Sequence, residues 1–333
     1  MTRLLVLGGS SFVGRAIVDD ALQRGWEVTT FNRGLTNAPD ARVKHVIGDR
    51  TDPTSLSTLA TSEWDLVTDT WAGAPTAVRD SARLLADRAD GYAYISSASV
   101  YAPPPPVGGD ERSPTVDGSP DAGEGDYAAC KRGAELAVLD AFGEPRTLLA
   151  RAGLIVGPYE NVGRLPWWLA RMARGGSVLA PGPPERKLQL IDSRDLARFV
   201  LDAASARRFG TFNTVSRAGH ATTETLLGAC VDAAGAPDLR LRWVSPELVA
   251  RAGLQPWSQL PLWLPPGHEY EGLLAADVEH AHAAGLRCRP IEQTVADTWS
   301  WMCSLPAGPP ARPGRSPLGM TPEVERAALA LAQ

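Results

Sequence analysis

Cysteine and lysine are scarce in this 333-residue chain, and long apolar runs are missing altogether. The four cysteines, Cys130, Cys230, Cys288 and Cys303, stand at spacings that match neither a disulfide framework nor a metal-ligand set. His45, His220, His268, His280 and His282 share no ligand spacing with acids or thiols, so no metal site is expected. The first apolar run, Leu4 to Leu7, breaks into glycine well short of a signal-peptide core, and no later stretch approaches a membrane span. A formal net charge of −5, with basic residues scattered among acids, gives no electrostatic footprint for nucleic acid. The expectation is a soluble, cytoplasmic protein whose partner is a small molecule, with no nucleic acid and no membrane.

The length is enough for one large α/β domain with a smaller appended lobe. Short β-branched or leucine-rich runs predict strands at Leu4–Leu7, Val28–Phe31, Val43–Ile47, Leu66–Thr70, Ala93–Ser96 and Leu148–Leu154. Between them, helical spacing predicts helices over Phe12–Arg24, Ala77–Arg88 and Tyr127–Phe142, the first and last closed by Gly25 and Gly143. This alternation predicts a doubly wound parallel sheet, with ligands at the carboxyl ends of its strands. The Pro- and Gly-rich stretch from Tyr101 to Asp126 reads either as a surface excursion or as a lid. After Pro158 the pattern becomes mixed and tryptophan-rich, as in a small substrate lobe. The assignment is a dinucleotide domain over 1–158 with a returning segment near 188–216, a lobe over 159–187 and 217–302, and a linker with a last helix over 303–333. That helix, opened by Thr321 and Pro322, reads as an accessory element that packs on another subunit.

Three stretches carry chemistry. "LGGSSFVG" follows the first strand and opens the first helix, where unpaired amides and the positive dipole end suit a pyrophosphate. Alone, such a turn is as consistent with a tight bend as with nucleotide binding. In "DYAACKRGAE", Tyr127 and Lys131 lie four apart and so on one helix face. A phenol near pKa 10 is a poor acid or base at neutral pH, and a neighbouring ammonium is one means of favouring its phenolate. With six tyrosines and three lysines in the chain, chance produces this spacing roughly once in twenty. In "YAYISSASVYA", Ser97 ends a strand, where a hydroxyl suits a substrate carbonyl.

In this order the three stretches resemble the extended short-chain dehydrogenase/reductase superfamily, and within it the NAD(P)-dependent epimerase/dehydratase-like group. Gly8, Ser11 and Gly14 match the glycine-rich turn, Ser97 the serine before "VY", and Tyr127 with Lys131 the Tyr-x-x-x-Lys pair. "RAGLIVGP", "LIDSRDLA" and "GTFNTVS" resemble later family segments, so the likeness spans about residues 3 to 302. The resemblance implies a Rossmann fold and a homodimer through the Tyr127 helix and its neighbour. It also implies that Tyr127 is the general acid/base, that Lys131 makes the phenol usable and binds the nicotinamide ribose, and that Ser97 binds the reacting oxygen. Gly8, Gly9, Ser10, Ser11, Phe12, Val13 and Gly14 would hold the pyrophosphate. Asp49 with Arg50 would lie at the adenine, and Thr70, Trp71 and Ala72 along the cofactor.

Departures from the family pattern narrow the reading. Asn32 stands where NAD-preferring members carry an acid, and Arg33 follows, so NADP(H) is expected over NAD(H). Ala98 and Ser99 replace the Asp-Glu pair of dehydratases, while Leu154 and Leu188 stand at two positions that contact the substrate diphosphate in sugar-nucleotide epimerases. Arg186 and Lys187 lie close by as substitutes. Trp71, Ser99, Tyr159, Trp167 and Trp168 are candidates for the substrate pocket, against the plainer reading of the tryptophans as core. The expected activity is hydride transfer to or from a small-molecule carbonyl or alcohol. The alternatives are a sugar-nucleotide epimerase or reductase, and a non-catalytic dinucleotide-binding or RNA-associated relative.

Overall fold

The computed structural model describes residues 1–35, 40–306, 308 and 317–332. Most of the linker expected after residue 303 lies outside the described residues. Six strands fill the first half: β1 (Arg3–Leu7), β2 (Glu27–Asn32), β3 (Lys44–Ile47), β4 (Leu66–Asp69), β5 (Tyr92–Ser97) and β6 (Thr147–Ala152), with helices, among the described residues, between all consecutive strands but β2 and β3. The helices are α1 (Phe12–Gln23), α2 (Pro53–Ser57), α3 (Pro75–Leu85) and α4 (Tyr127–Phe142). Helix α4 has the predicted bounds because Asp126 accepts the amides of Ala128 and Ala129 at its start and Gly143 takes φ 69° at its end. Helix α3 begins two residues earlier than predicted, with Pro75 at its first position.

The strand predicted over Leu148–Leu154 is two strands. Gly153 sits against Val215 where a Cβ would not fit, and there the chain leaves the main sheet. It continues as β7 (Leu154–Val156), which later pairs with another strand in a separate ribbon. The lobe adds α5 (Arg164–Ala173), β8 (Ser177–Pro181) and β9 (Lys187–Leu188). Next come β10 (Leu190–Asp192), the partner of β7, and α6 (Ser193–Ser205). The chain then returns through β11 (Gly210–Thr214), the seventh strand of a parallel sheet ordered β11-β6-β5-β4-β1-β2-β3. Order reverses between β1 and β4, the point where such sheets leave a crevice. Core residues of α1 and α6 cover one face, and those of α2, α3 and α4 the other.

The remaining elements are β12 (Ala221–Thr222), α7 (Thr223–Ala234), β13 (Arg240–Val244), α8 (Pro246–Arg251), α9 (Glu279–Ala283), α10 (Ile291–Cys303) and α11 (Pro322–Ala330). The lobe core gathers Trp168, Leu169, Leu227, Trp263 and Val295. Two segments sit elsewhere than the sequence reading placed them. Val278, Ala281 and Leu286 pack with the Rossmann sheet rather than with the lobe. Helix α11 docks on its own lobe: buried Glu325 pairs with Arg171 at 2.6 Å and accepts the Leu179 amide at 3.0 Å.

The segment 101–126 is a tied excursion. Tyr101 bridges to Thr115, Arg151 donates to the Glu111 carbonyl, Asp277 donates its amide to the Gly109 carbonyl, and Arg79 pairs with Asp121. Its residues line neither half of the cleft described next.

Candidate active site

A long cleft runs across the carboxyl ends of β1 and β4. One half, about 450 Å³, is lined by Gly8, Ser10, Ser11, Asn32, Arg33, Asp49 and Trp71, among others. The other, about 550 Å³, holds Gly14, Ser97, Ser99, Tyr127, Lys131 and Trp257, and the two share Ser11, Thr70 and Ala72. The residues expected at the two ends of a dinucleotide therefore fall along one continuous groove.

Sequence explains the turn between β1 and α1. Gly9 takes φ 90°, with Thr30 and Val18 where a Cβ would go, and a Cβ on Gly14 would approach the Gly9 amide nitrogen to 2.7 Å. Ser11, in place of the family's middle glycine, is in extended conformation (φ −145°, ψ 152°) and needs no glycine. It is the N-cap of α1, yet its hydroxyl makes no cap bond, so the first-turn amides are not satisfied by that side chain. Phe12, at φ 40°, carries the strain of the turn beside the cleft. These features fit a dinucleotide phosphate: small residues, a helix start and amides that the Ser11 side chain leaves uncapped stand where the two halves of the groove meet.

The catalytic candidates converge at the other half. Lys131 is 3 % exposed and donates to two backbone carbonyls, Trp71 at 2.6 Å and Ile95 at 2.7 Å, with Nζ 4.7 Å from the centre of the Tyr94 ring. Those carbonyls, one in the turn after β4 and one within β5, fix the ammonium at the cleft. Tyr127, one turn away on α4, is 38 % exposed and opens to the cleft. Ser97 accepts the Ser99 amide at 3.1 Å and donates to the Ser99 hydroxyl at 3.2 Å, which sets both hydroxyls on one wall.

At the far half, Asn32 ties the end of β2 to the glycine turn by donating to the Gly8 carbonyl at 2.8 Å. Asp49 accepts from the Thr51 amide and hydroxyl, which hold its carboxyl below the usual range. Arg50 borders the cleft, but its guanidinium turns inward to Asp69 in a bidentate pair at 2.6 and 2.8 Å, with Ser81 as a further acceptor. Burial pushes the Asp69 carboxyl up, and the charge and hydrogen bonds of Arg50 overcome this and leave it lowered. Arg50 therefore positions β4 rather than reaching toward a ligand. Trp71 donates its indole N–H to the Ala74 carbonyl and forms part of the cleft wall.

Three of the aromatic candidates lie elsewhere. Trp168 is 1 % exposed and donates to the Pro261 carbonyl inside the lobe core. Trp167 packs edge-on against it. Tyr159 carries the Arg15 guanidinium over its ring and meets Trp301, away from both halves of the groove. Helical periodicity buries Trp168, which the plainer sequence reading anticipated. Among the residues missed were Asn161, Val162, Arg164, Trp257 and Leu273, all on the reaction half. They come from loops and helix ends without periodicity, so no pattern in the sequence singles them out.

The wall around α5 is governed by Glu160. This carboxylate is fully buried and accepts the amides of Arg164 at 2.7 Å and Leu165 at 3.3 Å, the first two of the helix. Burial pushes its carboxyl up to about 7, against the opposing pull of the Arg164 charge and the backbone donors. Leu154 lines the cleft, whereas Leu188 is buried in the lobe. Arg186 pairs with Glu271 and donates to the Leu264 carbonyl, outside the groove. Among the described residues no cluster of three or more His, Cys, Asp or Glu side chains is placed to hold a metal, and no helix is long and apolar enough to cross a membrane.

No curated protein matches the chain in sequence. Its fold is shared with solved structures of low identity. UDP-N-acetylglucosamine 4-epimerase from Methanobrevibacter ruminantium, in complex with UDP-N-acetylmuramic acid, is 18 % identical, with a TM-score of 0.67 over 91 % of this chain and 98 % of that one. UDP-glucose 4-epimerase of Thermus thermophilus, in complex with NAD, is 19 % identical, with a TM-score of 0.64 over 91 % and 99 %. The Bordetella bronchiseptica enzyme WbmH, in complex with NAD+, is 16 % identical, with a TM-score of 0.65 over 91 % and 99 %. Residues 4–214, from β1 through β11, match the NAD dependent epimerase/dehydratase family, and the chain belongs to it.

Proposed function

We propose that this protein is an NADP(H)-dependent oxidoreductase that moves a hydride to or from a small-molecule alcohol or carbonyl. The observation that carries the proposal is the meeting of Ser97, Tyr127 and Lys131 on one half of a groove whose two halves join at the glycine turn. A nicotinamide bound there would supply or accept the hydride. Tyr127 would give or take the proton at the substrate oxygen, Ser97 would hold that oxygen, and Lys131, anchored by two carbonyls, would place its charge beside the phenol. Asn32 and Arg33 at the opposite end favour a 2′-phosphate, because position 32 carries no carboxylate and a guanidinium follows it.

Two features, one in the reaction half and one outside the groove, favour a substrate without a diphosphate. The first amides of α5 face inward to Glu160, and Arg186 is held by Glu271, so neither serves an anion in the groove. The test is NADPH consumption across a panel of aldehydes and ketones, repeated with Tyr127→Phe. No Tyr127-dependent turnover with any of them would refute the proposal. Family membership favours a second reading, a sugar-nucleotide epimerase. A rise in melting temperature with UDP- or dTDP-sugars at micromolar concentration would support it. A homodimer through α3 and α4 is part of the proposal. Residues 119–122 cross the start of this face through the Arg79–Asp121 pair and the Thr76 amide, which leaves its carboxyl-terminal half for a partner. Light scattering on the purified protein decides the oligomeric state.

A further inference from the structure

Trp257 lines the reaction half of the cleft together with Tyr127, Ser97 and Leu273, and its backbone is in an unusual state. Its φ is +69°, in the left-handed region that bulky side chains rarely adopt. Such a conformation persists only where surrounding contacts over-determine it. Those contacts are present. The Trp257 amide donates to the Trp263 carbonyl at 3.2 Å, and the Gln255 amide donates to the Gln259 side chain at 2.8 Å. The Ser258 carbonyl accepts the Gly319 amide at 2.7 Å.

That last bond comes from the C-terminal segment 317–321, far away in the chain. Gly319 takes φ 91° and lies so close to Trp167 that a Cβ there would overlap the indole. Met320 is buried in the lobe core, and α11 beyond it is locked by Glu325 to Arg171 and the Leu179 amide. The C-terminal segment is thus a strap that fixes the loop bearing Trp257.

We infer that Trp257 is the specificity-determining wall of the reaction half and selects substrates that carry an uncharged ring. An indole face stacks on a flat ring and has little to offer a linear chain. Part of this half supports the choice: Ala98, Leu154, Ile155, Val162 and Leu273 are apolar, and Glu160 closes the first α5 amides to an anion, while Asn161, Arg164 and the catalytic candidates form its polar part. The inference rests on the cleft being the site of hydride transfer.

The test uses the full chain with NADP+ or NADPH present. Wild type, Trp257→Phe and Trp257→Ala are compared on acetophenone and 2-octanone, which have equal carbon counts. The ratio of kcat/KM for the aryl ketone to that for the linear one should fall about tenfold or more in Trp257→Ala, chiefly through KM, and be largely retained in Trp257→Phe. An unchanged ratio overturns the inference. Protein labelled with 5-fluorotryptophan gives a second readout, with the Trp257 fluorine line assigned by its loss in Trp257→Phe. That line should move saturably with 1-phenylethanol and much less with 2-octanol, and Gly319→Ala should displace it without any ligand. If ketones turn over but the line ignores the aryl alcohol, the wall is wrong and hydride transfer stands. If the line responds but no alcohol or carbonyl turns over, hydride transfer falls and takes the selection of its substrates with it, and ring binding at Trp257 alone stands. If neither occurs, both fall.

Discussion

Asn32 donates its side-chain amide to the Gly8 carbonyl at 2.8 Å and accepts the Gly34 amide at 2.9 Å, so one neutral side chain joins the end of β2 to the phosphate turn. An aspartate could accept from Gly34 but could not donate to Gly8, and its charge would face a carbonyl oxygen. Asn32→Asp is expected to loosen the turn and to disfavour a 2′-phosphate by charge repulsion. The ratio of NADPH to NADH dissociation constants should rise about tenfold, equivalent to about 1.4 kcal/mol. Arg33→Ala should weaken NADPH binding and leave NADH binding nearly as it was. Fluorescence titration of both cofactors checks this, and equal affinities in wild type would remove the NADP(H) preference.

Tyr127→Phe removes one oxygen from a half-exposed ring at the start of α4. Turnover should fall by about 10²- to 10⁴-fold, the usual worth of a positioned acid or base. Cofactor affinity and melting temperature should stay close to wild type, because the ring remains to pack against the same neighbours. Parallel measurement of kcat and cofactor binding separates a chemical role from a structural one.

Much of this site was legible in the sequence because it is built from short local patterns. Ser97, Tyr127 and Lys131 lie on a strand end and one helix face, where periodicity fixes their direction. The glycine turn was legible for the same reason, and Ser11 fits because its backbone is extended. What escaped depends on long-range packing. Arg50 resembles a cleft residue in sequence, but Asp69, nineteen positions on, captures it in the core. Trp257 and Arg164 reach the cleft only because the lobe folds back over the sheet, and the C-terminal helix finds its partner Arg171 154 positions away. Trp167 and Trp168 satisfied a plausible pocket pattern and were claimed by the lobe core instead.

Arg50 and Asp69 are 7 % and 0 % exposed, so truncating one leaves the other charged and buried. Arg50→Ala should destabilise the protein by about 3–5 kcal/mol. The pair also anchors the turn after β4, since the Trp71 amide donates to the same carboxylate and Tyr92 donates its hydroxyl to it. Chemical denaturation measures the loss. A change below about 1 kcal/mol, the range of exposed ion pairs, would show that the pair is not the support argued here.

The raised Glu160 carboxyl makes stability depend on pH in a direction opposite to that of most carboxylates. Its ordinary value is 4.5, and burial raises it to about 7 in the folded protein. Between those values the native state holds a proton that the unfolded chain has released, so stability falls as pH rises through this window and levels off above it. A shift of that size corresponds to about 3 kcal/mol. Glu160→Gln mimics the protonated form and keeps an acceptor for the Arg164 amide. The variant should match wild type near pH 5 and exceed it near pH 8, with a flatter slope between. Denaturation midpoints across pH 5 to 8 read the difference. Parallel slopes for the two proteins would mean that Glu160 keeps an ordinary carboxylate titration despite its burial.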